Sequence, residues 1–443
     1  MSEAYIIDAC RTPRGIGKRG KGALSHLHPS YLGSTVLRGL VERNGLETEE
    51  VDDVIFGTSA QIDAQGCDLA RMALLNAGFD VRASGVTLDR FCGSGITAVN
   101  LAAGQLRAGF EDCIVAGGTE MMSFTSTLTR PPILDAGNLD LRAMHPQSQQ
   151  GVCADAIATM EGISRTDLDA LALESQRRAS QAIAEGRFNR ALITVRNPDG
   201  SVALDREEFP RPETTMEVLS GLKPAFERIR HLVADVHTGD TYGQMIQRRY
   251  PQLTEFNHVH HAGNSSGVVD GAAALLMASK AYVQKRGLKP RARIVAAANM
   301  GGDPTLMLNA PVPAAQKVLA QAGMRIEDID LFEINEAFAV VAEKFIRDLK
   351  LNRDRVNVNG GAIALGHPIG ATGAMLIGMM VDELERQDKR FGLVTMCAAG
   401  GQAPAVIIER LHREKCPRLT GRDRPDRVGL RFGGLGPQAL VSA

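Results

Sequence analysis

The fold is decided by a stretch in which a strand pattern turns into a helix pattern, residues 88–100, which read LDRFCGSGITAVN. The β-branched and apolar run ends in Cys92, and two glycines then lead into an Ala- and Leu-rich helical pattern that continues to Leu106. A thiol at such a junction faces the free N–H groups of the first helical turn, where the helix dipole favours thiolate over thiol. A free cysteine is also commonly an inert buried residue, and this stretch alone leaves both interpretations open.

A second stretch, residues 357–373, reads NVNGGAIALGHPIGATG and contains five glycines. His367 is its only imidazole, and the glycines let the backbone around it adopt unusual angles. This pattern places a candidate base in a tight turn ahead of a helix.

Two further strand-like runs end in polar or reactive side chains. Residues 393–402 (LVTMCAAGGQ) deliver Cys397 into a turn of small residues, and an apolar run over residues 330–334 ends at Asn335. Together with the first cysteine and the histidine, these residues supply a nucleophile, a base and an oxyanion donor at strand ends.

The chain repeats itself in diverged form. Residues 50–57 (EVDDVIFG) are similar to residues 327–333 (EDIDLFE), and their phenylalanines are 276 residues apart. Cys92 and His367 are 275 residues apart, so nucleophile and base occupy nearly equivalent points of two halves. Strand and helix signals alternate in both halves, which predicts parallel-rich α/β units. Two such halves packed face to face place both loops in one crevice, beyond the carboxyl ends of the strands.

These stretches, with residues 262–267 (AGNSSG), 270–273 (DGAA) and 335–338 (NEAF), resemble the thiolase family in order and spacing from about residue 4 to residue 411. The resemblance implies the thiolase fold, an α/β architecture of two similar βαβαβαββ halves. Each half is expected to carry a mixed five-stranded sheet. The layers are expected to stack α/β/α/β/α about shared central helices, with an inserted loop domain.

The resemblance also implies domain boundaries. The N-terminal half comprises residues 1–122 with about 263–290, and the C-terminal half comprises residues 291–411. Residues 123–262 do not repeat and correspond to the loop domain that covers the site and holds coenzyme A. Residues 412–443 hold seven basic and three acidic residues without an apolar period, and are predicted to be a flexible tail.

In thiolases the chemistry belongs to a small set of residues, and the resemblance carries it to this chain. Cys92 attacks the 3-keto carbon of a 3-ketoacyl-CoA, and His367 takes its proton. His367 and a water held by Asn335 stabilise the enolate of the departing acetyl-CoA, and Cys397 protonates its carbon. The acyl oxyanion lies between the backbone N–H groups of Cys92 and Ala399. No metal or redox cofactor is required, and coenzyme A is a substrate.

Contacts with coenzyme A are implied at residues that match the loop-domain signature and its neighbours. Arg211 is expected at the phosphates, Phe226 and Ser266 at the pantetheine, and Phe338 at the substrate. A turn-forming serine would give the same pattern as Ser266. Lys223 also matches, but a solvated surface position is the favoured interpretation there.

Three features depart from the family pattern. Ala399 stands where many thiolases have glycine, and Gln150 stands where acetoacetyl-specific members carry methionine. About two dozen extra residues separate Phe226 from Ala262, and they include the histidines of the run His-Val-His-His at 258–261. A metal site in this run is disfavoured because no further cysteine or carboxylate stands nearby at ligand spacing.

Composition limits the remaining classes of function. The formal net charge is −1, which gives no electrostatic case for nucleic acid or an anionic membrane surface. No window of about 18 apolar residues is present, and the N-terminal residues enter a strand pattern without a cleavable leader. Seven cysteines without a CxxC pair predict reduced thiols and a cytoplasmic location.

The sequence therefore predicts a degradative 3-ketoacyl-CoA thiolase of the β-oxidation type. An acetyl-CoA C-acetyltransferase that runs Claisen condensation is the alternative within the family. A ketoacyl-synthase-like condensing enzyme is disfavoured by Cys397, since that class needs a second histidine or asparagine there. An inactive acyl-CoA-binding subunit is the alternative of another class. By analogy with the family, a homodimer or homotetramer is expected.

Overall fold

The computed structural model describes residues 3–130 and 132–411, and the predicted tail at residues 412–443 lies outside the described residues. The strands are, in chain order, β1 (Ala4–Arg11), β2 (Gly15–Ile16), β3 (Asp53–Gly57), β4 (Ser84–Leu88), β5 (Cys113–Met121), β6 (Val195–Arg196), β7 (Val202–Leu204), β8 (Val269–Ser279), β9 (Ala292–Gly301), β10 (Leu331–Ile334), β11 (Phe391–Thr395) and β12 (Gln402–Arg410).

The helices are, in chain order, α1 (Pro29–Asn44), α2 (Leu69–Asn76), α3 (Ser94–Ala108), α4 (Met122–Thr125), α5 (Leu139–Met144), α6 (Gln150–Glu161), α7 (Arg165–Ala184), α8 (Met216–Ser220), α9 (Glu227–Arg230), α10 (Tyr242–Arg249), α11 (Lys280–Arg286), α12 (Pro311–Ala322), α13 (Ala339–Asp348), α14 (Ala362–Leu365) and α15 (Ile369–Arg386). Short 3₁₀ turns cover Thr48–Glu50, Asp63–Gln65, Ile326–Asp328 and Arg353–Arg355.

The first half forms a five-stranded mixed sheet in the order β4-β3-β5-β8-β1. β3 is parallel to β4 and β5, whereas β8 is antiparallel to β5 and β1. The short β2 adds only a two-residue pairing to the start of β8. With α1, α2 and α3 between successive strands, the half follows the predicted βαβαβαββ order.

The second half repeats this arrangement in the order β10-β11-β12-β9. β10 and β11 are parallel, and β12 is antiparallel to both of its neighbours. The predicted fifth strand is reduced to a single bridge between Phe332 and Val356. The chain there is a 3₁₀ turn that runs into Asn357 at φ 48°, a left-handed conformation that stops an extended strand.

The two half-sheets are joined, which the sequence did not indicate. β1 and β9 pair through Tyr5 with Arg293 and Ile6 with Ala292. Because both are the outer strands of their halves, this short ladder makes one continuous sheet of ten strands.

Two helices form the central layer. α3 and α15 pack on each other, and each contacts strands of both halves. α1 and α2 cover the outer face of the first half, and α12 and α13 lie on that of the second half. The predicted α/β/α/β/α layering is therefore confirmed. The core between the sheets includes Ile96, Val99, Leu376 and Ile377, all at most 3% exposed.

The central helices cross at glycines near their N-termini. A Cβ atom on Gly95 would lie 2.7 Å from the backbone nitrogen of Ala374, and one on Gly373 would lie 2.2 Å from that of Ile96. Only glycine allows this approach of two backbones. The crossing brings together the turns that precede α3 and α15, which hold Cys92 and His367.

The non-repeating residues between β5 and β8 contain α4 to α10 and the two-stranded β6–β7 sheet. They belong to the same compact unit as both halves, which extends to Leu411. The boundaries proposed for the loop domain stay a prediction. No helix within the described ranges is long and apolar enough to cross a membrane.

Candidate active site

Cys92 lies in a tight turn between β4 and α3. Phe91 adopts φ 48°, and its N–H donates to Asp89 Oδ1 at 2.6 Å. The Ser94 hydroxyl donates to the Phe91 carbonyl at 2.7 Å and accepts from the N–H of Arg90 at 2.8 Å. These bonds hold a strained, non-glycine residue directly before the thiol, which is only 6% exposed.

The backbone at His367 is fixed by a hydrogen bond and by the glycine before it. The backbone N–H of His367 donates to the carbonyl of Gly267 at 2.9 Å, and Gly366 adopts φ 96°. A Cβ on Gly366 would lie 2.5 Å from Val269, so the glycine is required by both conformation and space. The imidazole is 4% exposed.

Thr372 sets the tautomer of this imidazole. Its hydroxyl donates to the carbonyl of Pro368 at 3.0 Å and lies 2.6 Å from His367 Nδ1. We assign the imidazole proton to Nδ1, which then donates to Thr372, because the hydroxyl hydrogen is used on the carbonyl. His367 Nε2, which has no partner among the described residues, is therefore the free basic nitrogen.

Cys397 follows β11 in a hairpin-like turn. The N–H of Ala398 donates to Gln402 at 2.7 Å, and Gly400 and Gly401 take φ of 79° and 77°. Within the described ranges no oxygen accepts a hydrogen bond from the N–H of Ala399. This is the donor that the sequence assigns to the acyl oxyanion, and it is buried and free.

Asn335 follows β10 and is 1% exposed. Its N–H donates to the carbonyl of Thr395 at 3.3 Å, but neither atom of its side-chain amide has a partner in the described part of the chain. A buried, unbonded amide indicates a site for a water or a ligand. The next residue, Glu336, anchors the turn by accepting from the hydroxyl of Ser175 at 2.7 Å.

The loop at residues 264–267 joins these turns. The N–H of Ser266 donates to the carbonyl of Ala337 at 3.0 Å, and Ser265 forms a bridge with Phe338. The same loop accepts from His367 through Gly267, as described above. The Asn335 turn and the His367 turn are thus both hydrogen-bonded to one short loop.

Burial, and then the charge of the Cys92 sulfur, raise the pKa of Cys397. Burial and the carboxylate of Glu120 raise the pKa of Cys92 to about 12, and the side chain of Gln150 only partly opposes this shift. The expectation of a lowered pKa from the helix dipole is therefore wrong, since burial outweighs it.

The pKa of the imidazole shifts in the opposite direction to the pKa values of the two thiols. Burial and then the charge of Arg14 lower the pKa of His367 to about 3. At neutral pH the pair is therefore an uncharged thiol and an uncharged imidazole with a free Nε2. Such a pair can pass a proton when an electrophile is present, without storing a thiolate beforehand.

Several polar residues of the site were not found from the sequence. Glu120, which is fully buried, accepts from the N–H groups of Ser59 at 2.8 Å and Gly370 at 3.0 Å, so it ties the end of β3 to the start of α15. Thr372 and Arg14 also escaped notice. Gln150 was noted only as a departure from a family pattern. No spacing rule marks Glu120 and Arg14, because they act on residues far away in the sequence, whereas Thr372 stands only five residues after His367.

The candidate coenzyme A residues fall into two groups. Phe226 and Phe338 meet edge to face, with ring centroids 5.8 Å apart, and the Phe226 ring lies against Gly151. Half-buried Ser266 adjoins Phe338 through the loop described above. Arg211 is exposed on the surface, and its guanidinium lies 5.9 Å from the Phe209 ring centroid. The structure therefore brings Phe226, Phe338 and Ser266 together, whereas Arg211 adjoins Phe209, whose ring lies against Gly267 next to Ser266.

The histidines of residues 258–261 contact carboxylates that are distant in sequence. His258 and His260 bond the two oxygens of Asp155 at 2.9 and 2.8 Å, and His261 bonds Asp169 at 2.7 Å. Within residues 3–130 and 132–411 no three metal-ligating side chains converge to hold an ion. The histidines fix the extra segment onto α6 and α7.

Comparison with known proteins identifies the family. The sequence matches the family model of the thiolase N-terminal domain over residues 4–230 and the family model of the thiolase C-terminal domain over residues 288–410. The chain belongs to the thiolase family. It is 39% identical over 421 residues to the steroid 3-ketoacyl-CoA thiolase FadA6 of Mycobacterium tuberculosis, covering 93% of this chain and 95% of that one.

Other thiolases are equally similar. The β-ketoadipyl-CoA thiolase of Escherichia coli is 40% identical, with 93% of this chain and all of the relative covered. The crystal structure of the Bacillus anthracis acetyl-CoA acetyltransferase superposes with a TM-score of 0.77 at 34% identity, over 93% and 99% of the two chains. This thiolase is accordingly an acyltransferase that uses acyl-CoA and coenzyme A.

Proposed function

We propose that this thiolase is a degradative 3-ketoacyl-CoA thiolase. The observation that carries the proposal is the free Nε2 of a buried, neutral His367 in a site where the charge of the Cys92 sulfur raises the pKa of Cys397. A base, a nucleophile and a second acid are the three groups that thiolytic cleavage needs.

The first half-reaction cleaves a carbon–carbon bond. His367 Nε2 takes the Cys92 proton as the sulfur attacks the 3-keto carbon, and the oxyanion is bound by the N–H groups of Cys92 and Ala399. The bond between C2 and C3 then breaks. Its electron pair forms the enolate of acetyl-CoA, whose oxygen meets His367 and a water on Asn335. Cys397 gives its proton to C2, and acetyl-CoA leaves.

The second half-reaction restores the enzyme. The Cys397 thiolate takes the proton of the incoming coenzyme A thiol, and that sulfur attacks the acyl carbon on Cys92. The bond to Cys92 breaks, and His367 returns its proton to the sulfur. Protons balance over the cycle, so no metal or redox cofactor is needed. All roles here are proposals that the burial and hydrogen bonding of these residues support.

The degradative direction is supported by the relatives named as thiolases of steroid and β-ketoadipyl substrates. The alternative is an acetyl-CoA C-acetyltransferase, supported by the name of the Bacillus structure and of relatives at 36–38% identity. Thiolysis assays over ketoacyl-CoA substrates from C4 to C16 distinguish the two. Activity confined to C4 would reverse the assignment.

An inactive acyl-CoA-binding subunit is tested with acetyl-CoA alone. An active enzyme forms an acetyl adduct on Cys92 that mass spectrometry of the intact protein detects and peptide mapping locates. An unlabelled Cys92 would support the inactive subunit and overturn the proposal.

We also propose a homodimer or homotetramer and a cytoplasmic location. β4 is an edge strand with no further strand beside it in the described part of the chain, and Val86 within it is 43% exposed. An open edge with apolar side chains favours pairing with a second copy. The six described cysteines are free thiols, which fits a reducing compartment. Light scattering after size exclusion should give twice the mass of the chain or a multiple, and a monomer at micromolar concentration would contradict this.

A further inference from the structure

The extra segment at residues 227–261 contacts the loop that packs against the turn holding Cys397. Tyr250 directly follows its helix α10, and the Tyr250 hydroxyl donates to Asp303 Oδ2. Asp303 lies in the loop after β9, and that loop packs directly against the turn at Gly401.

Asp303 organises this loop with its carboxylate. Oδ1 accepts from the N–H of Thr305 at 3.0 Å, and Oδ2 accepts from that of Leu306 at 3.3 Å. The loop bends sharply, because the N–H of Met307 donates to the Asp303 carbonyl at 3.0 Å with Met307 at φ 66°. The Tyr250 hydroxyl is thus the third donor on a carboxylate that shapes a strained loop.

The loop in turn limits the position of the Cys397 turn. The N–H of Gly302 donates to the carbonyl of Gly401 at 2.6 Å. A Cβ on Gly401 would lie 2.7 Å from the carbonyl oxygen of Asp303 and 2.8 Å from Pro304. Gly401, which lies four residues after Cys397, therefore packs closely against the backbone of Asp303 and Pro304.

The phenol remains a donor over the working pH range. Burial and the adjacent Asp303 carboxylate raise the pKa of Tyr250 to about 12. Other contacts secure the segment elsewhere: His260 bonds Asp155 and its ring lies 5.8 Å from that of Phe338. The extra residues consequently contact both the Asp303 loop and Phe338.

We propose that Tyr250 is a positioning residue for Cys397, acting through the carboxylate and main chain of Asp303. The proposal rests on the acid and base role given to Cys397 above. The extra segment then stabilises the turn that holds Cys397. It fixes the thiol that moves protons at C2 and at the incoming coenzyme A.

The test isolates proton transfer by Cys397. In the Cys92→Ser background, exchange of the C2 hydrogens of acetyl-CoA with deuterated water is followed by mass spectrometry. Adding Tyr250→Phe should lower the exchange rate about ten-fold, since misplacement of a reacting group by a fraction of an ångström has effects of this size. Tyr242→Phe is the matched control, because that hydroxyl donates to the carbonyl of Pro132 at 3.0 Å, and it should change exchange less than about two-fold.

Two further variants keep the outcome decisive. Asp303→Asn should lower exchange as Tyr250→Phe does, and the double variant should be no slower than either alone, since both break one path. Equal exchange in the Tyr250→Phe and Tyr242→Phe proteins would overturn the proposal, as would additive losses in the double variant. Exchange that survives Cys397→Ala would instead contradict the role of Cys397 in the proposed function, whatever Tyr250 does.

Discussion

The two halves of the molecule place different groups at equivalent strand ends. In the first half, the turn after β4 bears the reactive Cys92, whereas the end of β5 bears the buried Glu120. In the second half, β10 leads to Asn335, the chain after the Val356 bridge leads to His367, and β11 leads to Cys397. One half supplies a single reactive side chain and the other supplies three.

The difference shows that equivalent positions of a repeated fold can hold either a reactive side chain or one that only stabilises the structure. Glu120 occupies a strand end, but both of its oxygens are used on neighbouring segments, Gln65 among them at 2.6 Å. Asn335 and His367 Nε2 lie at strand and turn ends with no partner in the described ranges. A saturated polar group holds the fold, and an unsaturated one is available to a substrate.

Removal of the one reactive group of the first half should have the largest effect. Cys92→Ser cannot form the thioester intermediate, so we expect kcat for thiolysis to fall by at least about 10⁴. Loss of the absorbance of a ketoacyl-CoA substrate measures the rate. The exposed Cys67→Ser serves as the control and should keep full activity. A Cys92→Ser enzyme with more than about 1% activity would contradict the conclusion that Cys92 is the reactive side chain supplied by the first half.

The base of the second half should come next. His367→Ala leaves the thiol without a proton acceptor, and we expect kcat to fall about 10³-fold. His145, which is exposed, gives the control His145→Ala. Iodoacetamide at high pH should still alkylate Cys92 in His367→Ala, and the labelled peptide reports this. Failure of the label would mean that the histidine supports the turn rather than the chemistry.

The crossing of the halves can be tested on a single helix. Gly95→Ala inserts a Cβ 2.7 Å from a backbone nitrogen and should lower the free energy of unfolding by about 2 kcal/mol or more. Gly104, exposed on the same helix, has no atom within 4 Å of its would-be Cβ, so Gly104→Ala should raise stability by about 0.5 kcal/mol. Urea denaturation of both variants shows whether each substitution lowers or raises the free energy of unfolding.

The orientation of the imidazole should have a smaller effect. Thr372→Val removes the acceptor for the Nδ1 proton, and we expect kcat to fall about ten-fold with KM unchanged. Thr372→Ser keeps the hydroxyl and should restore most of the rate. A Thr372→Val enzyme with an unchanged kcat would contradict the tautomer assigned to His367.

Acid should destabilise the protein through the same residue. The pKa of His367 is about 3 when folded and 6.5 in the reference state, so below about pH 6.5 the unfolded chain binds a proton that the folded chain does not. Stability therefore falls as the pH is lowered through this range. Between pH 7 and pH 5 the melting temperature of His367→Gln should fall by about 2 °C less than that of the wild type. An equal fall in both proteins would contradict the buried neutral imidazole.

Much of the fold could be predicted because the strand and helix patterns are local. The alternation of the first half and the strand-to-helix turn at Cys92 follow from apolar runs and glycines in the sequence. The loss of the strand at Val356 depends on the left-handed Asn357, and the β1–β9 ladder depends on two halves meeting at their outer strands. Neither has a signal within one stretch of sequence.

The site divides in the same way. Cys92, His367, Cys397 and Asn335 were predicted because each ends a recognisable run. The Gln150 contact with the Cys92 sulfur was not predicted, because it joins residues 58 positions apart. The direction of the Cys92 pKa was wrong for a related reason, since burial by the second half cannot be judged from the turn alone.

The crossing of α3 and α15 has a consequence for how this protein is made. The ribosome releases α3 about 275 residues before the helix that covers it, and Ile96 and Val99 of α3 are fully buried in the finished protein. Until translation nears its end, those side chains lack the native neighbours that α15 and the second half provide. We therefore expect the nascent chain to depend on chaperones, and its reactive sulfur to be most vulnerable to oxidation during synthesis rather than afterwards.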